Sequence, residues 1–79
     1  NELELAESYL NESLEIAREI DDRLTEGRQL ANLGVLAMRR RQASQACNSF
    51  REALVIFEDI GATPEAAQTR THLNVLGCE

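Results

Sequence analysis

Residues 30–53, LANLGVLAMRRRQASQACNSFREA, decide how this chain folds. They contain two amphipathic helical patterns, with small residues where the two helices would come into contact. Gly34 lies in the middle of the first pattern, where glycine costs about 1 kcal/mol of helix propensity relative to alanine. Ala46, Phe50 and Ala53 form the facing stripe of the second pattern. We therefore expect the backbone of another helix to approach closely at Gly34.

The composition predicts one all-α domain. The chain has 79 residues, of which 43% are hydrophobic and 28% charged, and this suits a folded domain with a modest core. One proline and four glycines leave few positions at which a helix would break. The net charge is −6, and residues 1–26 hold nine acids against two arginines. This acidic balance argues against nucleic acid as a partner.

The spacing of the apolar residues predicts four helices, over residues 2–20, 23–40, 43–60 and 64–77. Asp22 is placed to cap the second helix, and Gly61 to take the positive φ that ends the third. Thr63 is the predicted N-cap of the fourth helix, with Pro64 as its first residue.

The apolar faces of these helices predict the core. The predicted packing positions are Leu3, Ala6, Leu10, Ser13, Leu14, Ala17 and Ile20 in the first helix, widened by Tyr9 and Ile16; Leu30, Leu33, Leu36 and Ala37 in the second; Ala46, Phe50, Ala53, Leu54 and Phe57 in the third; and Leu73, Val75 and Leu76 in the fourth.

The chain repeats itself. Sliding it against itself by 40 residues aligns the first helix with the third and the second with the fourth. Identical residues then coincide in the pairs Glu12/Glu52, Leu14/Leu54, Ile16/Ile56, Ile20/Ile60, Leu33/Leu73, Val35/Val75 and Leu36/Leu76. The break at residues 21–22 falls on the break at residues 61–62. Matching helices and matching breaks at one offset indicate an internal repeat.

These residues justify naming a family. Leu33-Gly34 in one helix, followed by Ala46, Phe50 and Ala53 in the next, resembles the tetratricopeptide repeat (TPR). The usual TPR period is about 34 residues. A 40-residue period looks like the longer variety seen in kinesin light chains, cell-polarity adaptors and bacterial signalling ATPases. The resemblance covers essentially the whole chain.

The resemblance implies antiparallel helix-turn-helix repeats stacked as a TPR-like α-solenoid. The half repeats would be residues 1–22 and 63–79, with one full repeat at residues 23–62. The sequence departs from the family pattern at Arg41-Gln42, where a Gly-Asp or Gly-Asn turn is usual, and at Asn74, which replaces the small residue of the second copy.

In this family the first helix of each pair lines a concave groove in which peptides dock. The resemblance implies such a groove on the second and fourth helices. The side chains on the corresponding stripes are Arg28, Asn32, Val35 and Arg39 on the second helix, and Gln68, His72, Val75 and Glu79 on the fourth. Arginine and amide groups suit peptide carboxylates, so the hypothesis is an acidic or C-terminal peptide. A polar face that binds no ligand is the alternative, and it stays open.

Stacked repeats need neighbours, and only one complete pair is present. We therefore expect apolar residues on the outer sides of the first and fourth helices to remain open, and copies of the chain to associate, most simply as a two-fold dimer. Residues 39–44 contain no Gly, Pro, Asn or Asp. The alternative at this point is a fusion of the second and third helices into one long helix that exchanges between chains.

No residue constellation predicts an enzyme. His72 is the single histidine, and neither a metal-ligand spacing nor a phosphate-binding loop is present, so no catalytic residue, metal or cofactor is expected.

Arg39-Arg40-Arg41 is interpreted as a solvated charge run at a helix end. Cys47 and Cys78 are interpreted as unpaired thiols, which suits the cytoplasm. No apolar run of membrane length occurs, so no membrane partner is expected.

Two functions follow as hypotheses. The first is a protein–protein interaction module, or scaffold, whose concave groove binds a peptide or a partner helix. The second is a structural or regulatory repeat segment of a larger signalling protein, which packs on its own chain or self-associates.

Overall fold

The computed structural model describes residues 1–78. The chain forms four helices: α1 (Glu2–Glu19), α2 (Arg23–Arg39), α3 (Ala43–Asp59) and α4 (Thr63–Leu76). α1 packs on α2, α2 on α3, and α3 on α4, so each helix runs back along the preceding one. The predicted all-α, repeat-like fold is confirmed. Each helix ends one residue earlier than predicted, and α4 also begins one residue earlier.

The connections between the helices share one geometry. Asp21, Arg41 and Gly61, each 20 residues from the next, take positive φ values of 59°, 59° and 71°. The residue that follows each of them donates its backbone N–H to the carbonyl five residues earlier, as in a Schellman cap. These bonds are Asp22 to Ala17 at 2.8 Å, Gln42 to Ala37 at 2.9 Å and Ala62 to Phe57 at 2.8 Å. The 40-residue repeat therefore consists of two halves of equal length.

This geometry overturns the alternative of one long helix. α2 ends at Arg39 and α3 begins at Ala43, with Arg41 in the left-handed region between them. Arginine is unfavourable there by about 1–2 kcal/mol. The capping bonds, including Arg41 N–H to the Met38 carbonyl at 3.0 Å, and the packing of α2 on α3 offset that cost. A turn without Gly, Pro, Asn or Asp is therefore sufficient to separate α2 from α3.

The helix N-termini agree with prediction at α2 and differ at α4. Asp22 caps α2 by accepting from the backbone N–H of Thr25 at 3.1 Å and from its hydroxyl at 2.7 Å. The Thr25 hydroxyl, and then its backbone N–H, hold the pKa of the Asp22 carboxyl below its usual value. The prediction of Thr63 as the N-cap is wrong, because Ala62 takes that position and Thr63 lies in the first turn. The Thr63 hydroxyl donates back to the Gly61 carbonyl at 3.5 Å.

The core is built on two glycines that face two aromatic rings. Phe50 and Phe57 of α3 are the largest fully buried side chains. A Cβ atom at Gly34 would lie 2.8 Å from the Phe50 ring, and one at Gly27 would lie 2.7 Å from the Phe57 ring. The expectation of a close backbone at Gly34 is therefore corrected: the space that glycine leaves is filled by an aromatic ring.

Burial departs from the predicted pattern mainly at the two outer helices. On α1, the prediction of Tyr9, Ile16 and Ile20 as core packing positions is wrong, because they are exposed and form the open apolar surface expected on the outer side of this helix. On the described part of α4, Val75 is the one large hydrophobic side chain that is exposed, so that helix is more polar outside than expected. Leu33 and Leu54 are half-buried. Residues that are buried but were not predicted are Ile56, Ala66 and Thr69.

The interpretation of the cysteines as unpaired thiols is wrong. Cys47 of α3 and Cys78 form a disulfide, with their Cα atoms 5.8 Å apart. Cys78 reaches α3 because α4 ends in a left-handed cap at Gly77, where φ is 72°, and the chain turns back. The cytoplasmic expectation, which relied on reduced thiols, therefore has no support from the cysteines.

Replacing Gly34 with alanine is expected to destabilise the protein by about 1 kcal/mol, because overpacking of the Phe50 ring outweighs the gain in helix propensity. Urea unfolding at 25 °C measures this loss. In a Phe50→Leu background the same substitution should cost less, since the ring atoms are gone. An equal loss in both backgrounds would show that the ring is not the obstacle.

Replacing Arg41 with glycine is expected to stabilise the protein by about 1 kcal/mol, because glycine takes the positive φ of this turn without steric cost. Thermal and urea unfolding measure the gain. The matched control is Arg39→Gly, inside the last turn of α2, which should lose up to about 1 kcal/mol. Unchanged or reduced stability of Arg41→Gly would contradict the turn geometry.

Replacing Cys47 and Cys78 together with serine is expected to lower stability by about 3 kcal/mol under oxidising conditions, because the cross-link closes a loop between residues 31 apart. Dithiothreitol should lower the wild type to the same stability and leave the double variant unchanged. Titration of both thiols in the oxidised, folded wild type would refute the disulfide.

Candidate functional site

A cleft of about 430 Å³ opens between α2 and α4. Seven of the eight residues predicted for the groove are in the described part of the chain, and five of these line the cleft, which are Arg28, Asn32 and Val35 of α2 and Gln68 and His72 of α4. The remaining lining residues are Ala31, Phe57, Pro64, Glu65 and Thr69. Phe57 and Thr69 are each 2% exposed and therefore form its base. This volume is within the range of small-molecule and peptide-side-chain pockets.

The helical periods bring these side chains together. Arg28, Asn32 and Val35 follow one another at intervals of four and three residues, so they share one face of α2. Gln68 and His72 share a face of α4 in the same way. Both helices pack on α3, which holds the two faces side by side. The residues of α2 and α4 that face α3 belong to the core. The residues of these stripes therefore line the cleft.

An ion pair joins the two walls of the cleft. The Arg28 Nη2 atom lies 2.8 Å from Oε2 of Glu65. This hydrogen bond from Arg28 is the main cause that lowers the pKa of the Glu65 carboxyl below its usual value. Glu65 therefore keeps its charge to a lower pH than an ordinary glutamate. Glu65 is not predicted from the sequence, because nothing in its local pattern shows a partner 37 residues away.

His72 has a fixed place at the edge of the cleft. Its ring stacks on that of Phe50, with the centroids 4.7 Å apart and the planes within 4°. Such a stack adds to the burial of the two rings and holds the imidazole against α3. Asn32 is also oriented, since its amide nitrogen donates to Oε1 of Gln29 at 3.0 Å.

Two predicted groove residues lie outside this cleft. Arg39 lines a smaller cleft of about 240 Å³ between α1 and α2, which also includes Asn32 and Val35. Val75 is 72% exposed and does not line the cleft between α2 and α4. Glu79, the last member of the predicted α4 stripe, lies outside the described residues. The α2 stripe thus divides between two neighbouring clefts.

The cleft offers hydrogen-bonding groups above an apolar base. The Arg28 guanidinium donates, the Asn32 and Gln68 amides donate and accept, and Val35 contributes apolar surface. Within residues 1–78, His, Cys, Asp and Glu form no group of three or more that could hold a metal ion. In the same residues no helix has the length and hydrophobicity needed to cross a membrane.

Comparison with protein-family models, with curated proteins and with solved structures finds no match to this chain. The functional interpretation therefore depends on the geometry of the cleft and on the resemblance of the residues to the TPR pattern.

Proposed function

We propose that this chain is a protein–protein interaction module that binds a peptide in the cleft between α2 and α4. The supporting observation is that five side chains predicted for one groove line one open cleft. Extended or helical peptides present backbone amides and side chains in alternation, and a cleft with a polar rim and an apolar base suits both. The resemblance to TPR modules, which bind peptides on this side, points the same way.

The proposed ligand carries a carboxylate. Arg28 already holds the Glu65 carboxylate at 2.8 Å at the cleft wall, so this guanidinium is placed to bind a carboxylate. A ligand carboxylate would replace Glu65, and Asn32 and Gln68 would bind the peptide backbone beside it. Acidic side chains and a free C-terminus both supply this group.

Peptide binding can be tested with a displayed library of short peptides that includes acidic and free C-terminal members. For the best binder, the double variant Arg28→Ala, Asn32→Ala is expected to weaken binding by at least about tenfold, measured by fluorescence anisotropy. Circular dichroism of the variant checks that it is folded. Unchanged affinity in the double variant would refute the assignment of the cleft.

Two matched variants separate the cleft from its surroundings. Glu65→Gln removes the same ion pair as Arg28→Ala but leaves the guanidinium free, so acidic peptides should bind as well or more tightly. Arg39→Ala removes an arginine of the predicted stripe that lies in the neighbouring cleft, and the affinity should change little. Weaker binding in Glu65→Gln would mean that Glu65 itself contacts the peptide.

A structural or regulatory role in a larger signalling protein is the second candidate. The observation that favours it is the exposed apolar surface of α1, where Leu5, Tyr9 and Ile20 are each at least 67% exposed. In this role the repeats would pack on other helices of the same protein or on further copies. Both roles use helical surfaces and neither needs a catalytic residue.

A further inference from the structure

The outer surface of α1 carries a continuous apolar stripe, which we call the α1 stripe. Its members are Leu5, Tyr9, Ile16 and Ile20, with exposures of 72%, 67%, 51% and 67%. Their intervals of four, seven and four residues place them on one side of the helix. A shallow cleft of about 350 Å³ lies along the stripe from Tyr9 to Ile20. Exposed large apolar side chains grouped on one side of a helix are typical of docking surfaces.

The internal repeat shows which kind of element covers the surface of α3 that corresponds to the α1 stripe. The 40-residue offset places Ile16 on Ile56 of α3. Ile56 is only 6% exposed, and it lies in the core cluster with Leu14 of α1 and Leu30 of α2. In the second copy of the repeat the surface around Ile56 is therefore covered by helices, whereas Ile60, the counterpart of Ile20, is 40% exposed. The uncovered counterpart on α1 has the shape to receive a helix.

The repeat also shows the sign of the charge that the covering helices place beside the acids at the border of this surface. Two acids border the α1 stripe, Glu12 and Glu19, and their counterparts on α3 pair with arginines of the preceding helices. Those pairs are Arg18–Glu52 at 4.0 Å and Arg23–Asp59 at 3.2 Å. Within the described part of the chain, neither Glu12 nor Glu19 has an ion pair.

We propose that the α1 stripe docks an amphipathic helix of a partner protein, with arginine or lysine side chains placed against Glu12 and Glu19. Its apolar side would pack on Tyr9, Ile16 and Ile20. This surface is separate from the peptide cleft, and the proposal does not depend on that function. A second copy fits it poorly, because two α1 stripes face to face would bring acidic borders together, and residues 1–26 hold nine acids against two arginines.

A synthetic helical peptide that copies residues 22–42 is the probe. This segment contains α2, the helix that packs on α3, and it has five arginines against two acids. Fluorescence anisotropy with the full chain should show saturable binding at physiological ionic strength. Glu19→Arg and Ile16→Ser should each weaken it by at least about tenfold, because they remove the ion pair and the apolar contact. Both positions are exposed, and circular dichroism checks the fold of each variant.

The matched control is Glu15→Arg, which makes the same change of charge on α1. Its counterpart on α3, Val55, is 61% exposed, so this side of the helix is uncovered in the repeat. Binding of the probe should change by less than about threefold, because ions screen charges that are not in contact. A probe with Arg23→Glu should in turn bind Glu19→Arg more tightly than the wild type.

Three results would overturn the proposal: no saturable binding of the probe, equal weakening by Glu15→Arg and Glu19→Arg, or a dimer of the chain alone that Ile16→Ser dissociates in sedimentation equilibrium. The dimer would assign the α1 stripe to a second copy. The variant Arg28→Ala, Asn32→Ala should bind the probe like the wild type, so failure of the cleft assignment and failure of this proposal are distinguishable.

Discussion

The fit of two phenylalanine rings against two glycines holds this fold together. Gly27 and Gly34 are seven residues apart on α2, and Phe50 and Phe57 are seven apart on α3, so the two contacts fall at matching levels of the helix pair. Each ring fills the space that a methyl group would need. Glycine costs helix propensity at both positions, and burial of an aromatic ring contributes more than that cost. The position of α3 on α2 follows from this fit. The position of α4, which packs on α3, then follows as well.

The cleft between α2 and α4 depends on that central pair. α3 carries α4 on its other side, and Phe50 reaches through to stack on His72 of α4. A change at Gly34 would therefore move Phe50 and, with it, a wall of the cleft. Phe57 acts similarly, since its ring meets Gly27 and the residue also lines the base of the cleft. Phe57 therefore belongs to both the core and the cleft, and Phe50 is linked to the cleft through His72.

Features of this fold that depend on local spacing follow from the sequence. Helical periods gave the four helices within one residue at each end, and the cap at Asp22 and the positive φ at Gly61 follow from residue type. Features that depend on the meeting of distant segments were missed. The ion pair of Arg28 with Glu65 and the disulfide of Cys47 with Cys78 join residues 37 and 31 positions apart.

The turn at Arg41 shows that residue type does not always predict backbone conformation. An arginine does not signal a left-handed backbone, yet the turn repeats the geometry of Asp21 and Gly61. Tertiary packing and capping bonds impose this conformation on a residue that does not favour it. Similarly, the apolar pattern of α1 marked Tyr9 and Ile16 as packing positions but did not show whether a neighbour covers them. In the described chain none does.

The disulfide gives the two ends of this helical row unequal resistance to opening. In a row of helices that pack mainly on their sequence neighbours, unfolding is expected to begin at an end and to proceed helix by helix. α4 is tied covalently to α3 beyond its last turn, whereas α1 is held by non-covalent contacts alone. Amide hydrogen exchange should therefore be fastest in α1 and advance toward the cross-linked end. We therefore expect the chain to unfold from α1, and α3 and α4, which bear one wall and the base of the cleft between α2 and α4, to open last.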